Sequence, residues 1–283
     1  MRTALLQLNV GDQPSDNVAL VRDAVQQAVA GGAGFILTPE ATNCISASRS
    51  HQNKVLSLEA DDPVLAMLRN EAARAGVWIL LGSIIVKTGD PDGRFANRSL
   101  LIAPTGDITA RYDKIHLFDV QVSETETYRE SAAIRPGDRA VVVQTPFATL
   151  GMTICYDLRF PALYRGLAQA GAQVLCVPAA FSPVTGKAHW ETLLRARAIE
   201  TGCYVLTPAQ VGNHATTTGR PRATWGHSLI IAPWGEVLAD AGAEPGVIYA
   251  DLDMAKVNDA RHRVPSLTHD RAYTSAEVRD EIG

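Results

Sequence analysis

Cys155 stands in the run Met-Thr-Ile-Cys-Tyr-Asp-Leu-Arg-Phe-Pro, where an apolar stretch ends in a thiol beside polar groups and Pro161 can open a helix. A thiol at a strand-to-helix junction can meet backbone N–H groups that stabilise first a thiolate and then an oxyanion. The same residue can equally be a small core side chain, the use to which many free cysteines are put. Cys176, inside an apolar run, fits that second use.

A thiol that attacks an amide needs three helpers: a base for its proton, a cation or donor array for the tetrahedral oxyanion, and a proton donor for departing ammonia. No histidine is near Cys155 in sequence. Glu40, placed directly after the apolar run 35–38 and Pro39, is a carboxylate whose pKa partial burial can raise. A solvated strand-end carboxylate would look the same. Lys114 is hemmed by Tyr112, Ile115, Leu117 and Phe118, and an ammonium buried there needs a carboxylate neighbour. A lysine snorkelling to the surface would also tolerate those neighbours. None of the three residues establishes a function alone.

The elements that must position them alternate. Residues 3–9 read as a strand, Ser15 or Asp16 as a cap for a helix carrying Val18, Val21, Val25 and Ala28, and 35–38 as a buried strand that delivers Glu40. Asp62 and Pro63 begin a second helix, Gly76 ends it, and 77–86 returns as strand. A Pro-Thr-Gly-Asp turn joins 97–103 to 108–114 as a hairpin, so the sheet is mixed. Beyond Gln121 the chain is polar and without apolar period, a surface segment or lid. Strands at 140–143 and 149–154 lead to Cys155, and a strand at 173–177 precedes a helix over 187–201 with Trp190, Leu193, Leu194 and Ile199 as its apolar stripe. Strands at 204–210 and 229–232 follow; a Pro-Trp-Gly turn leads to 236–239, and 247–252 is the last strand. Such alternation favours an α/β fold. One domain over 1–263 is expected, with a polar tail over 264–283 that can reach a partner subunit.

Composition narrows the function classes. With 46% hydrophobic and 20% charged residues the chain is of ordinary globular type. A net charge of -4, with no basic stripe, argues against nucleic acid as a partner. No apolar run approaches the roughly 20 residues of a membrane span, and the N-terminus is unlike a signal sequence, so a cytoplasmic location is expected. The four cysteines are widely separated, which suggests neither a disulfide framework nor a CxxC pair. The histidines show no HxH or HExxH spacing, and no metal or cofactor is assigned.

Taken in order, Thr-Pro-Glu40, Tyr-Asp-Lys114-Ile-His-Leu-Phe-Asp and Ile-Cys155-Tyr-Asp-Leu-Arg-Phe-Pro resemble the three signature blocks of the nitrilase superfamily of carbon-nitrogen hydrolases, over nearly the whole chain. The resemblance implies a four-layer α-β-β-α sandwich, commonly dimeric. It implies Glu40 as general base and acid, Lys114 as oxyanion stabiliser, Cys155 as nucleophile, and Glu130, in Tyr-Arg-Glu-Ser, as orienting carboxylate. The blocks 189–200 and 225–235 resemble the Nit branch. That branch implies hydrolysis of the terminal amide of a small carboxylate-bearing molecule, through a thioester and with release of ammonia. The segments Pro-Ala-Ala-Phe-Ser-Pro-Val-Thr-Gly and Ala-Gln-Val-Gly-Asn-His point to deaminated glutathione ahead of ω-amides such as α-ketoglutaramate.

Candidate substrate contacts are Tyr156, Arg159, Phe181 and Thr185. Arg159 can grip a carboxylate bidentately, and can equally hold a structural salt bridge. Three rivals stand beside the amidase reading: nitrile or N-carbamoyl hydrolysis by the same groups, a serine hydrolase, and a noncatalytic binding module. The serine reading lacks a GxSxG elbow around Ser228. A binding module leaves the joint placement of Glu40, Lys114 and Cys155 unexplained.

Overall fold

The computed structural model describes residues 1–122, 124 and 126–274. In chain order the elements are β1 (Arg2–Gln7), α1 (Pro14–Ala30), β2 (Phe35–Leu37), α2 (Arg49–Val55), α3 (Pro63–Ala75), β3 (Trp78–Lys87), β4 (Phe95–Ile102) and β5 (Ile108–Asp113). They continue with β6 (Asp119–Gln121), β7 (Thr127–Arg129), β8 (Val141–Gln144), β9 (Thr149–Met152), α4 (Pro161–Gln169), β10 (Val174–Cys176), α5 (Pro183–Thr201) and β11 (Tyr204–Thr207). The last are β12 (Val211–Asn213), β13 (Ala223–Trp225), β14 (Leu229–Ile231), β15 (Val237–Asp240), β16 (Gly246–Asp251) and α6 (Ala255–Arg263).

Two six-stranded sheets result, ordered β16-β1-β2-β3-β4-β5 and β15-β14-β11-β10-β9-β8. In each, three central strands run parallel and the flanking strands pair antiparallel, so both sheets are mixed. The period of two along a strand sets the layering. Leu5, Phe35, Leu37 and Leu80 face inward and pack with Leu150, Met152 and Val205 of the second sheet. Their neighbours Ala4, Leu6, Ile36, Ile79 and Leu81 face outward onto Val21 and Val25 of α1 and Val64 and Leu68 of α3. On the other side Leu167 of α4 and Trp190 and Leu194 of α5 cover the second sheet. Each fully buried aliphatic or aromatic side chain contributes about 1.5–3 kcal/mol. A one-residue slip would exchange both faces, so the register is tightly specified. The architecture is the α-β-β-α sandwich that the signature blocks imply.

Local chemistry explains the element ends. Asp62 caps α3 by accepting from the Leu65 N–H at 2.9 Å, Pro63 follows, and Gly76 closes the helix with φ +66°. At α1 the expectation of a Ser15 or Asp16 cap is corrected. The helix begins at Pro14, whose fixed φ and missing N–H suit a first position, and Gln13 precedes it without a side-chain cap.

The expected stripe of α5 also needs correction. Trp190 and Leu194 are buried, but Ile199 is 57% exposed, and Gly186, Arg197, Ala198 and Thr201 complete the inner face. A charged residue at a core position hid the true period: the Arg197 guanidinium donates to the Leu158 carbonyl at 3.1 and 2.8 Å. The polar segment after Gln121 is not wholly irregular, because β6 and β7 pair antiparallel there. Its Ser123 and Thr125 lie outside the described residues. Of the tail, residues 264–274 are described, and Arg165 and Gln169 of α4 both bond Asp270. No helix among the described residues is long and apolar enough to cross a membrane.

Candidate active site

β2 stops one residue before Thr38, and the chain then bends sharply. The Thr38 hydroxyl accepts from the Gly82 N–H at 3.0 Å, Thr42 donates to the Pro39 carbonyl at 2.7 Å, and Ala41 takes φ +54° with its N–H on the Ser83 hydroxyl at 2.8 Å. This turn points Glu40 into the molecule, where it is 4% exposed. Gly82 is required, since a Cβ there would lie 2.0 Å from the Thr38 carbonyl oxygen.

Lys114 directly follows β5, and its N–H donates to the Asn97 carbonyl on β4 at 2.9 Å. Its ammonium donates to Glu40 Oε1 at 2.9 Å and to Glu130 Oε1 and Oε2 at 3.0 and 2.9 Å. Asn97 Nδ2 donates to Glu40 Oε1 at 2.9 Å and to Glu130 Oε1 at 3.4 Å. The second Glu40 oxygen accepts from the Ala180 N–H at 2.8 Å, and Glu130 Oε2 accepts from the Phe118 N–H at 2.6 Å. The buried lysine thus has the carboxylate company that its surroundings demand.

Cys155 opens a single 3-10 turn, Cys155–Arg159, after β9. It holds φ +49°, a left-handed conformation that costs a non-glycine residue about 1–2 kcal/mol. The turn is held in that shape from both sides. The Cys155 N–H donates to the Pro178 carbonyl at 2.9 Å. Asp157 accepts from the Ile154 N–H at 2.8 Å, the Tyr112 hydroxyl at 2.6 Å and the His116 N–H and Nδ1 at 3.1 and 2.7 Å. Tyr112 and His116 each stand two residues from Lys114, so one buried carboxylate ties the lysine's strand to the cysteine's turn.

Burial pushes the Glu40 carboxyl up, but Lys114, Arg222 and the Cys155 hydrogen bond outweigh it and hold the carboxyl below its ordinary value of 4.5. This reverses the upward tuning expected from burial alone. Burial likewise works against the Lys114 ammonium, and the Glu130 and Glu40 charges overcome it, so the group stays protonated. Burial and then the Glu40 charge push the Cys155 thiol well above 9.0. The resting arrangement is therefore a neutral thiol donating to an ionised carboxylate, with an ammonium alongside.

These groups line a cavity of about 300 Å³, at the lower end of ligand-pocket sizes. Tyr156, Phe181 and Thr185 also line it; Arg159 does not. Arg159 Nη2 lies 3.2 Å from His189 Nδ1, and its guanidinium sits 6.0 and 5.6 Å from the Tyr156 and Phe181 rings. Asn97, Asp157 and Arg222 also stand in or against the candidate site, and none of them is among the residues expected from the sequence. Asp157 carried a usable signal, being an acid two residues from the thiol. Arg222 and Asn97 carried none, because their place is set by pairing across distant strands. Among the described residues no group of three or more His, Cys, Asp or Glu side chains is placed to hold a metal.

Comparison with known proteins fits this geometry. The carbon-nitrogen hydrolase family model matches residues 2–262. The deaminated glutathione amidase of Yersinia enterocolitica is 38% identical over 98% of this chain and 95% of its own. The omega-amidase NIT2 of Homo sapiens is 34% identical over 96% and 95%. The crystal structure of Saccharomyces cerevisiae Nit3, a member of branch 10 of the nitrilase superfamily, superposes with TM-score 0.83 at 27% identity, covering 96% of this chain and 97% of that one. The chain belongs to the carbon-nitrogen hydrolase family, the nitrilase superfamily. Within it the chain is an enzyme of the amidase type.

Proposed function

We propose that the protein hydrolyses the amide bond of a small carboxylate-bearing substrate, with Cys155 as nucleophile, Glu40 as general base and acid, Lys114 as oxyanion stabiliser and Glu130 as the carboxylate that fixes the lysine. The observation that carries this reading is the buried Lys114 ammonium shared by Glu40 and Glu130 beside the Cys155 thiol. Glu40 takes the thiol proton as sulfur attacks the amide carbon. Lys114 and the Tyr156 N–H, which stands too early in its turn for an intrahelical partner, receive the oxyanion. Glu40 returns the proton to the departing nitrogen, then activates the water that cleaves the thioester.

Among substrates, deaminated glutathione is favoured, since two segments of the chain resemble that amidase and a relative of that name is 38% identical. Its scissile nitrogen belongs to a peptide fragment, so the product there is an amine. Ammonia, expected above for a terminal amide, leaves only from compounds such as α-ketoglutaramate. The test is kcat/KM for both compounds beside a matched nitrile and an N-carbamoyl acid. Deaminated glutathione should lead by at least 10-fold, roughly the value of one good polar contact. Faster turnover of α-ketoglutaramate would shift the assignment to the ω-amidase reading, and a lead by the nitrile or carbamoyl compound would overturn the amide preference.

The pH profile follows from the same charges. The base must be ionised, and it is held below 4.5, while the thiol and the ammonium lose protons only above 9.0 and 10.5. The expected kcat/KM is flat from about pH 5 to about pH 9. An acid limb with its midpoint near neutrality would show that the essential base titrates there, and would overturn a Glu40 carboxyl held below 4.5.

A further inference from the structure

The cavity holds a cation to which the proposed chemistry gives no contact with the substrate. Arg222 begins the return limb of the hairpin formed by β12 and β13, and one of its N–H groups, on Nη2, donates to the Ala180 carbonyl at 2.9 Å. The Ala180 N–H donates to Glu40 Oε2 at 2.8 Å, so one residue fixes both the guanidinium and the carboxylate. Among the described residues, the other Arg222 nitrogens have no hydrogen-bond partner.

The other cations that line the cavity are committed or exposed. Lys114 is shared by two carboxylates. Arg49 donates to the Ala133 carbonyl at 2.7 Å and to the Gly93 carbonyl, and stacks 4.1 Å over the Phe95 ring. Arg159 sits outside the cavity lining. Arg129 lines the cavity but is exposed, so water screens its charge.

The hairpin that carries Arg222 is bolted down. The His214 N–H donates to the Arg222 carbonyl at 2.9 Å. The His214 ring bridges the Val10 carbonyl at 2.7 Å and the Thr224 hydroxyl at 2.8 Å. Beyond it, the Thr217 N–H and hydroxyl donate to Asp12 Oδ2 at 2.7 and 2.9 Å. A guanidinium pre-positioned in a half-buried site, with free donors in a planar fork, matches a carboxylate in geometry and charge.

We infer that Arg222 is the specificity-determining residue of the site and that its remaining donors receive the carboxylate of the proposed substrate. This inference rests on the amide-hydrolase reading above.

The test compares a five-carbon dicarboxylic acid monoamide with its methyl ester, which removes the charge and keeps the chain. In the wild type the acid should be preferred, and Arg222→Gln should reduce the ratio of the two kcat/KM values by about 10- to 100-fold, mostly through KM, with Arg222→Lys losing less. Calorimetric binding of the matching dicarboxylate to the Cys155→Ala protein, with and without Arg222→Gln, needs no turnover. It separates the two claims: weaker dicarboxylate binding in Arg222→Gln supports the anchor even if no amide is cleaved. An unchanged ratio with unchanged dicarboxylate affinity overturns it. So does a ratio that collapses in Arg129→Gln or Arg159→Gln and holds in Arg222→Gln.

Discussion

Replacing Cys155 with Ala is expected to abolish turnover of every amide, by at least about 10⁴-fold, as removal of a covalent nucleophile generally does. The fold should survive within about 1–2 kcal/mol, because alanine tolerates φ +49° no worse than cysteine and Glu40 keeps Lys114, Asn97 and the Ala180 N–H as partners. Cys155→Ser is the sharper variant. It keeps the volume and a donor for Glu40, yet a hydroxyl is far less acidic than a thiol, and a carboxylate held below 4.5 is too weak a base to activate it. Both variants should melt close to the wild type. Only the wild type should show the acyl adduct in intact-mass spectra during turnover. An Ala variant that is folded and retains more than about 1% of kcat would remove Cys155 from its proposed role.

What made the centre of the fold legible was local. The apolar stretch before Glu40 is β2, whose three residues are all buried, and the stretch before Cys155 contains β9. Asp62, Pro63 and Gly76 bracket α3 by rules that need no tertiary information. What escaped was decided by distant partners. α2 has no apolar stripe: of Arg49–Val55 only His51 is buried, its ring bonded to the Asp12 carbonyl at 2.9 Å, so no periodicity announced the helix. α6 is similar, with Val257 and Ala260 alone buried. The hairpin of β12 and β13 is joined by nine residues with no apolar pattern, and its stability comes from Asp12 and His214. Sequence proximity misled in the opposite direction at Arg159. It is four residues from the thiol, but it does not line the cavity, and its guanidinium sits 6.0 and 5.6 Å from the Tyr156 and Phe181 rings that do. Arg222, far from the thiol in sequence, lines the cavity.

Lys114→Met should be the most disruptive change in the site, because it harms both activity and stability, and the two losses can be separated. The substitution leaves Glu40 and Glu130 facing each other in a site where their side chains are 6% and 17% exposed. Breaking a buried ion pair by removing one partner costs about 3–5 kcal/mol. Two carboxylates so placed cannot both stay ionised, so one takes a proton at neutral pH. Either outcome damages the proposed chemistry, in which a protonated Glu40 would be no base and a lost ammonium would leave the oxyanion to the backbone alone. A fall in kcat of about 10³-fold is expected, the scale of losing a major oxyanion donor. The double variant Lys114→Met with Glu130→Gln removes the clash. It should recover roughly half of the lost stability in denaturant unfolding and none of the lost turnover, because a neutral glutamine relieves the repulsion but supplies no positive charge to the oxyanion. Recovery of turnover together with stability would mean that Lys114 acts only by holding the fold. The stabilising role of the lysine would then stand, and its place in the chemistry would not.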